Sequence, residues 1–140
     1  DNYSFVFDNS QINVSKAVIT VTADDKQRDY GVTNPLFTAS YNGFVNGESL
    51  ATSGVSGTPS LNTSANEFSG VGVYAITAAN GTLDASNYSF AFVSGKLSIG
   101  KSVITVTAVN KSRLYGDANP QMSVVYTGSI RMALAHLRDE

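Results

Sequence analysis

The sequence contains no cysteine, no tryptophan and a single histidine, His136. Without cysteine the chain can form neither disulfide bonds nor thiolate metal sites. A serine or threonine nucleophile needs a base beside it, and His136 lies in a C-terminal stretch whose composition differs from the rest of the chain. No glycine-rich phosphate loop precedes a predicted helix. We therefore expect that the protein is not an enzyme and carries no cofactor.

Charge and long apolar runs are also scarce. Charged residues make up 14% of the chain, and the net charge is −2. A chain of this kind lacks the basic patches that bind nucleic acid or anionic membrane surfaces. No apolar run reaches the roughly 18 residues that a transmembrane helix needs. We therefore expect no nucleic-acid partner and no membrane insertion, while the 42% hydrophobic content suffices for a folded core.

What the chain does contain is an internal repeat. Residues 2–23 read NYSFVFDNSQINVSKAVITVTA, and residues 87–108 read NYSFAFVSGKLSIGKSVITVTA. The two copies align without a gap over residues 2–43 when the sequence is shifted by 85 positions, so that Asn2 falls on Asn87. A fixed long period of this kind is typical of a tandem array of small domains.

The repeat predicts how the chain is divided. We predict a complete module at 16–100, the C-terminal hairpin of an upstream repeat at 1–15, and the N-terminal part of a downstream repeat at 101–128. The two partial copies should pair with each other or with another chain, because they expose strand edges. Only Gly100-Lys101 connects successive repeats, so neighbouring repeats in the same chain should be partners in a stiff, extended rod.

The last twelve residues depart from the repeat. Residues 129–140 read SIRMALAHLRDE, where the complete copy continues with FVNGESL. Alanine, leucine, methionine and arginine favour helix, and Ile130, Leu134 and Leu137 share one helical stripe. This atypical tail is either an artefact of the end of a fragment or a native docking helix.

Period-2 patterns predict β-strands at the end of the module. Tyr88, Phe90 and Phe92 alternate with small or polar residues, which indicates a strand with one aromatic face that packs in the core. The letters VSGK then predict a turn, after which Leu97 and Ile99 alternate with Ser98. We therefore predict a hairpin over these two strands.

Other segments complete the prediction. Further strands are predicted at 102–108 and near Leu36–Tyr41, Thr58–Thr63 and Gly72–Ala78. The stretch DYGVTNPL (29–36) is predicted to be a loop, since Gly31 permits positive φ and Pro35 cannot donate to a strand ladder. Six or seven short strands predict an all-β module, an antiparallel immunoglobulin-like β-sandwich. The alternative is a β-grasp, in which residues 44–52 form one short helix across a mixed sheet.

Two pairs of residues are candidates for a site. Asp24 and Asp25, near a strand end, could bind calcium through their carboxylates, although the second copy has Val109-Asn110 there. Tyr30 and Tyr115 each precede a glycine and recur with an Asn-Pro pair. Each ring either faces a ligand or packs under its loop while the glycine takes a left-handed turn and the asparagine caps it.

The motifs together resemble a known family. ITVTADDKQRDYGVTNPLFTASYNGFVNGESL, followed by GVGVYAIT and NYSFAFVSGKLSI, is similar to the MBG domain of the YGX type. This family provides tandem modules of very large bacterial surface proteins, including adhesins of the filamentous haemagglutinin kind. The resemblance covers 16–100 entirely, and 1–15 and 101–128 as partial copies.

The resemblance carries expectations about function. It implies an extracellular protein, secreted or on the bacterial cell surface, with a role in cell adhesion as a stalk or spacer module. The family name suggests mucin or glycan binding, so host or environmental glycans are a second class of expected partner. The resemblance implies no particular binding residues for this chain.

Overall fold

The computed structural model of the protein describes residues 2–128, so the predicted tail at 129–140 and His136 lie outside the described residues. Within 2–128 the chain forms strands and no helix, which confirms the all-β prediction. It follows that no described helix is long and apolar enough to cross a membrane. The strands are β1 Ala17–Ala23, β2 Lys26–Asp29, β3 Ala39–Asn42, β4 Ser60–Asn62, β5 Gly72–Ala79, β6 Tyr88–Val93, β7 Gly95–Gly100, β8 Ile104–Ala108 and β9 Val124–Gly128.

The strands form two mixed sheets and a separate hairpin. The first sheet has the order β3-β1-β6, the second has the order β2-β7-β5-β4, and β8 pairs only with β9. The two larger sheets are consistent with a β-sandwich. The predicted antiparallel pairing holds for β1 with β3, β4 with β5 and β5 with β7. It needs correction for two pairs, because β1 pairs with β6, and β2 with β7, in parallel.

The predicted hairpin of β6 and β7 is wrong. β6 pairs with β1, whereas β7 pairs with β2 and β5. Only Ser94 separates the two strands, and the commonest tight hairpin turn needs two loop residues. The backbone of Gly95 also lies so close to β1 that an added Cβ would stand 2.3 Å from the Ala23 carbonyl oxygen. The chain therefore continues forward and passes from the first sheet into the second.

The chain also crosses from the first sheet to the second between β1 and β2. These two strands run beside β6 and β7. Ala17 pairs with Tyr88 in the first sheet and Lys26 pairs with Leu97 in the second, so one offset of 71 residues holds in both. The segment of β1 and β2 therefore stays in parallel register with the segment of β6 and β7 throughout residues 17–29. Residue 17 marks the entry end of the module and Gly100, beside Asp29, marks the exit end. At about 3.3 Å per residue these ends lie about 40 Å apart at most.

The core consists of two clusters, and β1 contributes to both. Ile19 and Val21 of β1 are fully buried with Tyr88, and Phe90 and Phe92 pack against them, so the aromatic stripe packs in the core as predicted. A second cluster contains the fully buried Ile76 and Leu97. The members of this second cluster are Ala23, Ala65, Ile76, Leu97 and Ile99, with Tyr30, Phe37, Leu61, Tyr74 and Ala78 packed against it.

Three predicted strands are present, and the short helix of the β-grasp alternative is not. β3, β4 and β5 lie where the sequence placed strands. Residues 44–52 instead form consecutive turns, in which the Glu48 amide donates to the Val45 carbonyl oxygen. Asn46 and Gly47 have φ values of 56° and 72°, and two successive left-handed residues interrupt any α-helix. The helix that would define the β-grasp alternative is therefore missing from this segment.

The β8–β9 hairpin repeats the geometry of β1 and β3. Val21 pairs with Tyr41 in the complete copy, and Val106 pairs with Tyr126 in the second copy. All residues of β8 and β9 are exposed, in contrast to the buried inner face of β1. Residues 2–15 form no strand and are exposed as well.

Candidate functional site

The candidate residues of the complete copy lie at two levels along the parallel strand pair. Asp24 and Asp25 lie where the chain passes from β1 to β2, and Tyr30 follows β2 at the exit end. Tyr115 belongs to the second copy, where its ring is fully exposed. The structure therefore does not bring these four residues together into one site.

Both aspartates are hydrogen-bonded within the module. The two carboxylate oxygens of Asp24 accept hydrogen bonds from the hydroxyls of Thr38 and Ser40, at 2.5 and 2.6 Å. Asp25 Oδ1 accepts from the Lys96 backbone amide at 2.7 Å. Asp24 thus ties the passage between the sheets to β3, and Asp25 ties it to β7.

These contacts give the aspartates a structural role. Calcium takes six to eight oxygen ligands. Within residues 2–128, no group of three or more histidine, cysteine or acidic side chains could hold a metal ion. The calcium site at Asp24 and Asp25 stays an untested prediction.

The Asp24→Asn variant should weaken the acid dependence of stability. Hydrogen bonds from Ser40 and Thr38 lower the pKa of Asp24 below its ordinary value of 3.8. Folding therefore favours the ionised form, and this stabilisation is complete above the unfolded pKa and is lost as pH falls through the folded pKa. We expect the urea midpoint of the unchanged chain to drop more between pH 7 and pH 3 than that of Asp24→Asn. The exposed Asp117→Asn is the matched control and should keep the original profile; parallel profiles for all three proteins would contradict the assignment.

Arg28 organises the loop at the exit end. Its side chain is only 7% exposed, although it carries a positive charge. Arg28 Nε donates to Asn34 Oδ1 at 2.7 Å, and Nη2 donates to the Asn66 carbonyl oxygen. Asn34 Nδ2 in turn donates to the Ala65 carbonyl oxygen at 2.7 Å. One guanidinium and one amide thus join β2, the loop after it and the turn at 65–66.

The sequence analysis did not assign this network. β2 reads KQRD, which contains no apolar residue and gives no strand signal. A signal was nevertheless present, because Arg28 recurs as Arg113 and Asn34 recurs as Asn119. A charged and a polar residue that recur together beside a glycine turn indicate a hydrogen-bonded pair.

Tyr30 and Gly31 form the turn that follows β2. The ring of Tyr30 is half-buried and packs against the second core cluster. Its backbone amide donates to the Gly100 carbonyl oxygen at 2.9 Å. Gly31 has a φ of 80°, the left-handed conformation predicted for it. Tyr30 therefore supports the loop and holds the last residue of β7, while ligand binding by Tyr30 or Tyr115 stays a prediction.

The entry end is held by a second set of contacts. The Tyr88 hydroxyl donates to Glu48 Oε2 at 2.6 Å and accepts from the Val45 amide at 3.2 Å. The hydrogen bond to the Glu48 carboxylate, together with burial, raises the pKa of Tyr88. Lys16 Nζ donates to the Ala85 carbonyl oxygen at 2.8 Å. The chain is thus bound to the body of the module where it enters.

An open groove lies at the exit end of the second sheet. It runs over β2, β7 and β5, and Gly72 and Gly100 contribute no side chains to it. Val73, exposed to 68%, stands beside it with the exposed polar side chains of Gln27 and Ser98. Two charged residues, Arg28 and Asp29, line the groove. The Arg28 guanidinium already donates hydrogen bonds to Asn34 and Asn66.

These features define the class of protein. An all-β module whose chain enters and leaves at opposite ends, with copies of its own pattern on both sides, is typical of a tandem repeat. The chain matches the family model of the MBG domain (YGX type) over residues 19–98, more than half its length, and belongs to this family. The match confirms the resemblance seen in the motifs. The family consists of structural repeat modules of surface proteins. No curated protein and no solved structure matches the chain.

Proposed function

We propose that the chain is a segment of an extracellular stalk, in which tandem modules hold the adhesive part of a bacterial surface adhesin away from the cell. The observation that supports this function is the single offset of 71 residues in both sheets. Because the strand pair keeps one direction, each module moves the chain from one of its ends to the other. Repetition of such a module extends a protein along one line.

The links between modules are short and are held at both sides. Gly100 accepts a hydrogen bond from the Tyr30 amide at the exit end. The Ala17 amide donates to the Asn87 carbonyl oxygen at 3.0 Å at the entry end. In the repeat, one residue separates the position of Gly100 from the next position of Ala17. This residue is Lys16 before the complete module and Lys101 after it. A link of this length leaves neighbouring modules little freedom to rotate independently.

The proposed module is residues 16–100. Both core clusters consist of residues from within this range. All seven strands of the two larger sheets lie in it as well. We therefore expect residues 16–100 to fold without the flanking copies.

Small-angle scattering on one to four tandem copies of residues 16–100 tests the stalk. We expect the maximum dimension to increase by up to about 40 Å with every added copy, since the entry and exit ends lie that far apart. The control series carries ten Gly/Ser residues at each junction, and its dimension should increase less regularly because flexible links permit bending. A maximum dimension that hardly changes from two to four copies would contradict the stalk.

A second candidate function is glycan binding by each module. The open groove at the exit end, with its glycine floor and the exposed Gln27 and Ser98, supports this candidate. Probing a glycan array with residues 16–100 tests it. Binding that is lost in the double variant Gln27→Ala, Ser98→Ala and kept in the exposed control Ser64→Ala would favour recognition over a pure spacer. If no glycan binds reproducibly, the spacer remains the one supported function.

A further inference from the structure

The complete module begins and ends in two segments that lie side by side. The first segment, residues 17–29, contains β1 and β2, and the last segment, residues 88–100, contains β6 and β7. The first residues of the two segments pair with each other at the entry end, and their last residues pair at the exit end. The two segments are therefore neighbours from one end to the other and run in the same direction.

Backbone hydrogen bonds fasten the two segments to each other at both ends. The Ala17 amide donates to the Asn87 carbonyl oxygen at 3.0 Å, and the Tyr30 amide donates to the Gly100 carbonyl oxygen at 2.9 Å. Between these bonds lie the parallel ladders of β1 with β6 and of β2 with β7. Hydrogen bonds in a parallel ladder are evenly spaced along the strands, so a load along the strands is divided among them.

A side chain connects the two segments where both pass between the sheets. Asp25 and Lys96 stand opposite each other, because each precedes a member of the pair Lys26 and Leu97. Asp25 Oδ1 accepts a hydrogen bond from the Lys96 amide at 2.7 Å. The segments are thus connected at the entry end, at the passage between the sheets and at the exit end.

Tension along the chain pulls these two segments in opposite directions. The preceding residues pull on Ala17 at the entry end, and the following residues pull on Gly100 at the exit end. Because the segments are parallel and are pulled from opposite ends, the first one is drawn along the last one. In this shear geometry the bonds between the segments resist together. Separation of the segments from one end breaks the bonds one after another and needs less force.

The rest of the module lies between the two segments in the sequence. Residues 30–87 contain β3, β4 and β5. While the first and last segments hold together, the load passes directly from one to the other, and residues 30–87 carry none of it. Unfolding under tension therefore begins when the segments slide by about one residue, roughly 3.3 Å. Forced unfolding is governed by the rate of barrier crossing, and a barrier crossed within so short a displacement requires a large force.

We propose that the module bears tension, and that residues 17–29 and 88–100 form a mechanical clamp that keeps it folded when the chain is pulled from both sides. The use of this clamp in a stalk rests on the proposed function, because a chain comes under tension only when it is held at two places. The mechanical resistance itself is a property of the complete module. It depends neither on residues 2–15 nor on the β8–β9 hairpin.

Pulling the full chain in two directions with optical tweezers tests the clamp. The absence of native cysteine allows DNA handles to be attached through two introduced cysteines. Ser15→Cys with Lys101→Cys places the handles at opposite ends of the module and loads the clamp in shear. Ser15→Cys with Ser86→Cys places both handles at the entry end and peels β1 from β6. The three positions are exposed.

The direction of pulling should decide the unfolding force. At one pulling speed, we expect the shear geometry to need about twice the force of the peeling geometry or more, although the fold and its bonds are the same. Each unfolding event in shear should lengthen the chain by about 250 Å, the extended length of the released residues less the length of the folded module. Equal forces in the two geometries would overturn the clamp, as would a lower force in shear.

Asp25 offers a matched pair of variants in the shear geometry. Asp25→Ala leaves the Lys96 amide without its acceptor and should lower the shear force by about a fifth, since one of several connections is lost. Asp25→Asn keeps an oxygen acceptor, and the second copy has Asn110 at this position, so its force should equal that of the unchanged chain. Peeling starts at the entry end, away from Asp25, and its force should not change in either variant. A shear force that is the same in all three proteins would overturn the part of Asp25 in the clamp.

The clamp and the stalk can fail separately. A regular increase of the scattering dimension together with equal forces in the two pulling geometries would leave the stalk and overturn the clamp. A higher force in shear together with a scattering dimension that hardly changes would leave the clamp and contradict the stalk.

Discussion

Arg28→Ala is expected to lower the free energy of unfolding of residues 16–100 by about 3 kcal/mol, because hydrogen bonds to charged groups contribute about 1.5–3 kcal/mol each and are not additive. The variant leaves Asn34 Oδ1 and the Asn66 carbonyl oxygen without their donor. It also removes the packed stem of a side chain that is 7% exposed. Such a loss is a large share of the stability of a small domain.

Arg113→Ala is the matched control for this prediction. Arg113 is the counterpart of Arg28 in the second copy and is exposed, and within residues 2–128 its guanidinium donates only to the nearby carbonyl oxygens of Leu114 and Asp117. We expect a change below about 0.5 kcal/mol, as for other surface substitutions. Urea unfolding of the full chain, followed by tyrosine fluorescence, measures both variants, since the chain has no tryptophan. Similar small effects would contradict the role given to Arg28.

Ile19→Ala should destabilise the module by about 2–5 kcal/mol, the range for deletion of a buried aliphatic side chain. Ile19 is fully buried in the first core cluster, together with Val21 and Tyr88. The cost combines the lost transfer of apolar atoms from water with the cavity that remains in the packed sheet.

Ile104→Ala is the control, because the residue type and the repeat position are the same. Ile104 is 43% exposed and lies on the β8–β9 hairpin. In dilute protein, where chains are separate, we expect a change of at most about 0.5 kcal/mol in the unfolding of residues 16–100. Thermal unfolding by circular dichroism distinguishes the two variants. Equal shifts would mean that the second copy belongs to the same cooperative core.

Together these two pairs of variants test whether tertiary packing decides how much a repeated side chain stabilises the module. Arg28 and Arg113, like Ile19 and Ile104, have the same side chain at the same repeat position in each copy. Their environments differ because the strands that surround the first member are present, whereas those of the second are not among the described residues. The expected differences in stability therefore come from tertiary packing, and the side chain itself contributes little.

The buried faces of the long strands could be predicted from sequence alone. Ile19 and Val21 alternate with threonines, and Leu97 and Ile99 alternate with serine, and all four apolar side chains are buried. Period-2 alternation suffices for this result because burial of one strand face is a local property of the chain. The left-handed turn at Gly31 was predictable for the same reason, since only glycine adopts positive φ at little cost.

β2 and its arginine could not be predicted in this way. KQRD becomes a strand because it continues β1 and finds β7 beside it, and Arg28 is buried because Asn34 and Asn66 provide acceptors. The helix of the β-grasp alternative at 44–52 does not form for a related reason, since the Val45 amide donates to the Tyr88 hydroxyl of a distant strand. In each case the partner lies far away in the sequence.

The sequence by itself determined the repeat, the all-β class and the buried faces of the long strands, because each depends on residue order and local periodicity. Tertiary structure alone decided that β6 and β7 join different sheets and that β1 pairs with β6, and β2 with β7, in parallel. Those outcomes depend on which backbone groups find partners across dozens of residues, and the close approach of Gly95 to Ala23 is such a contact. The same long-range pairing places the entry and exit of the chain at opposite ends of the module.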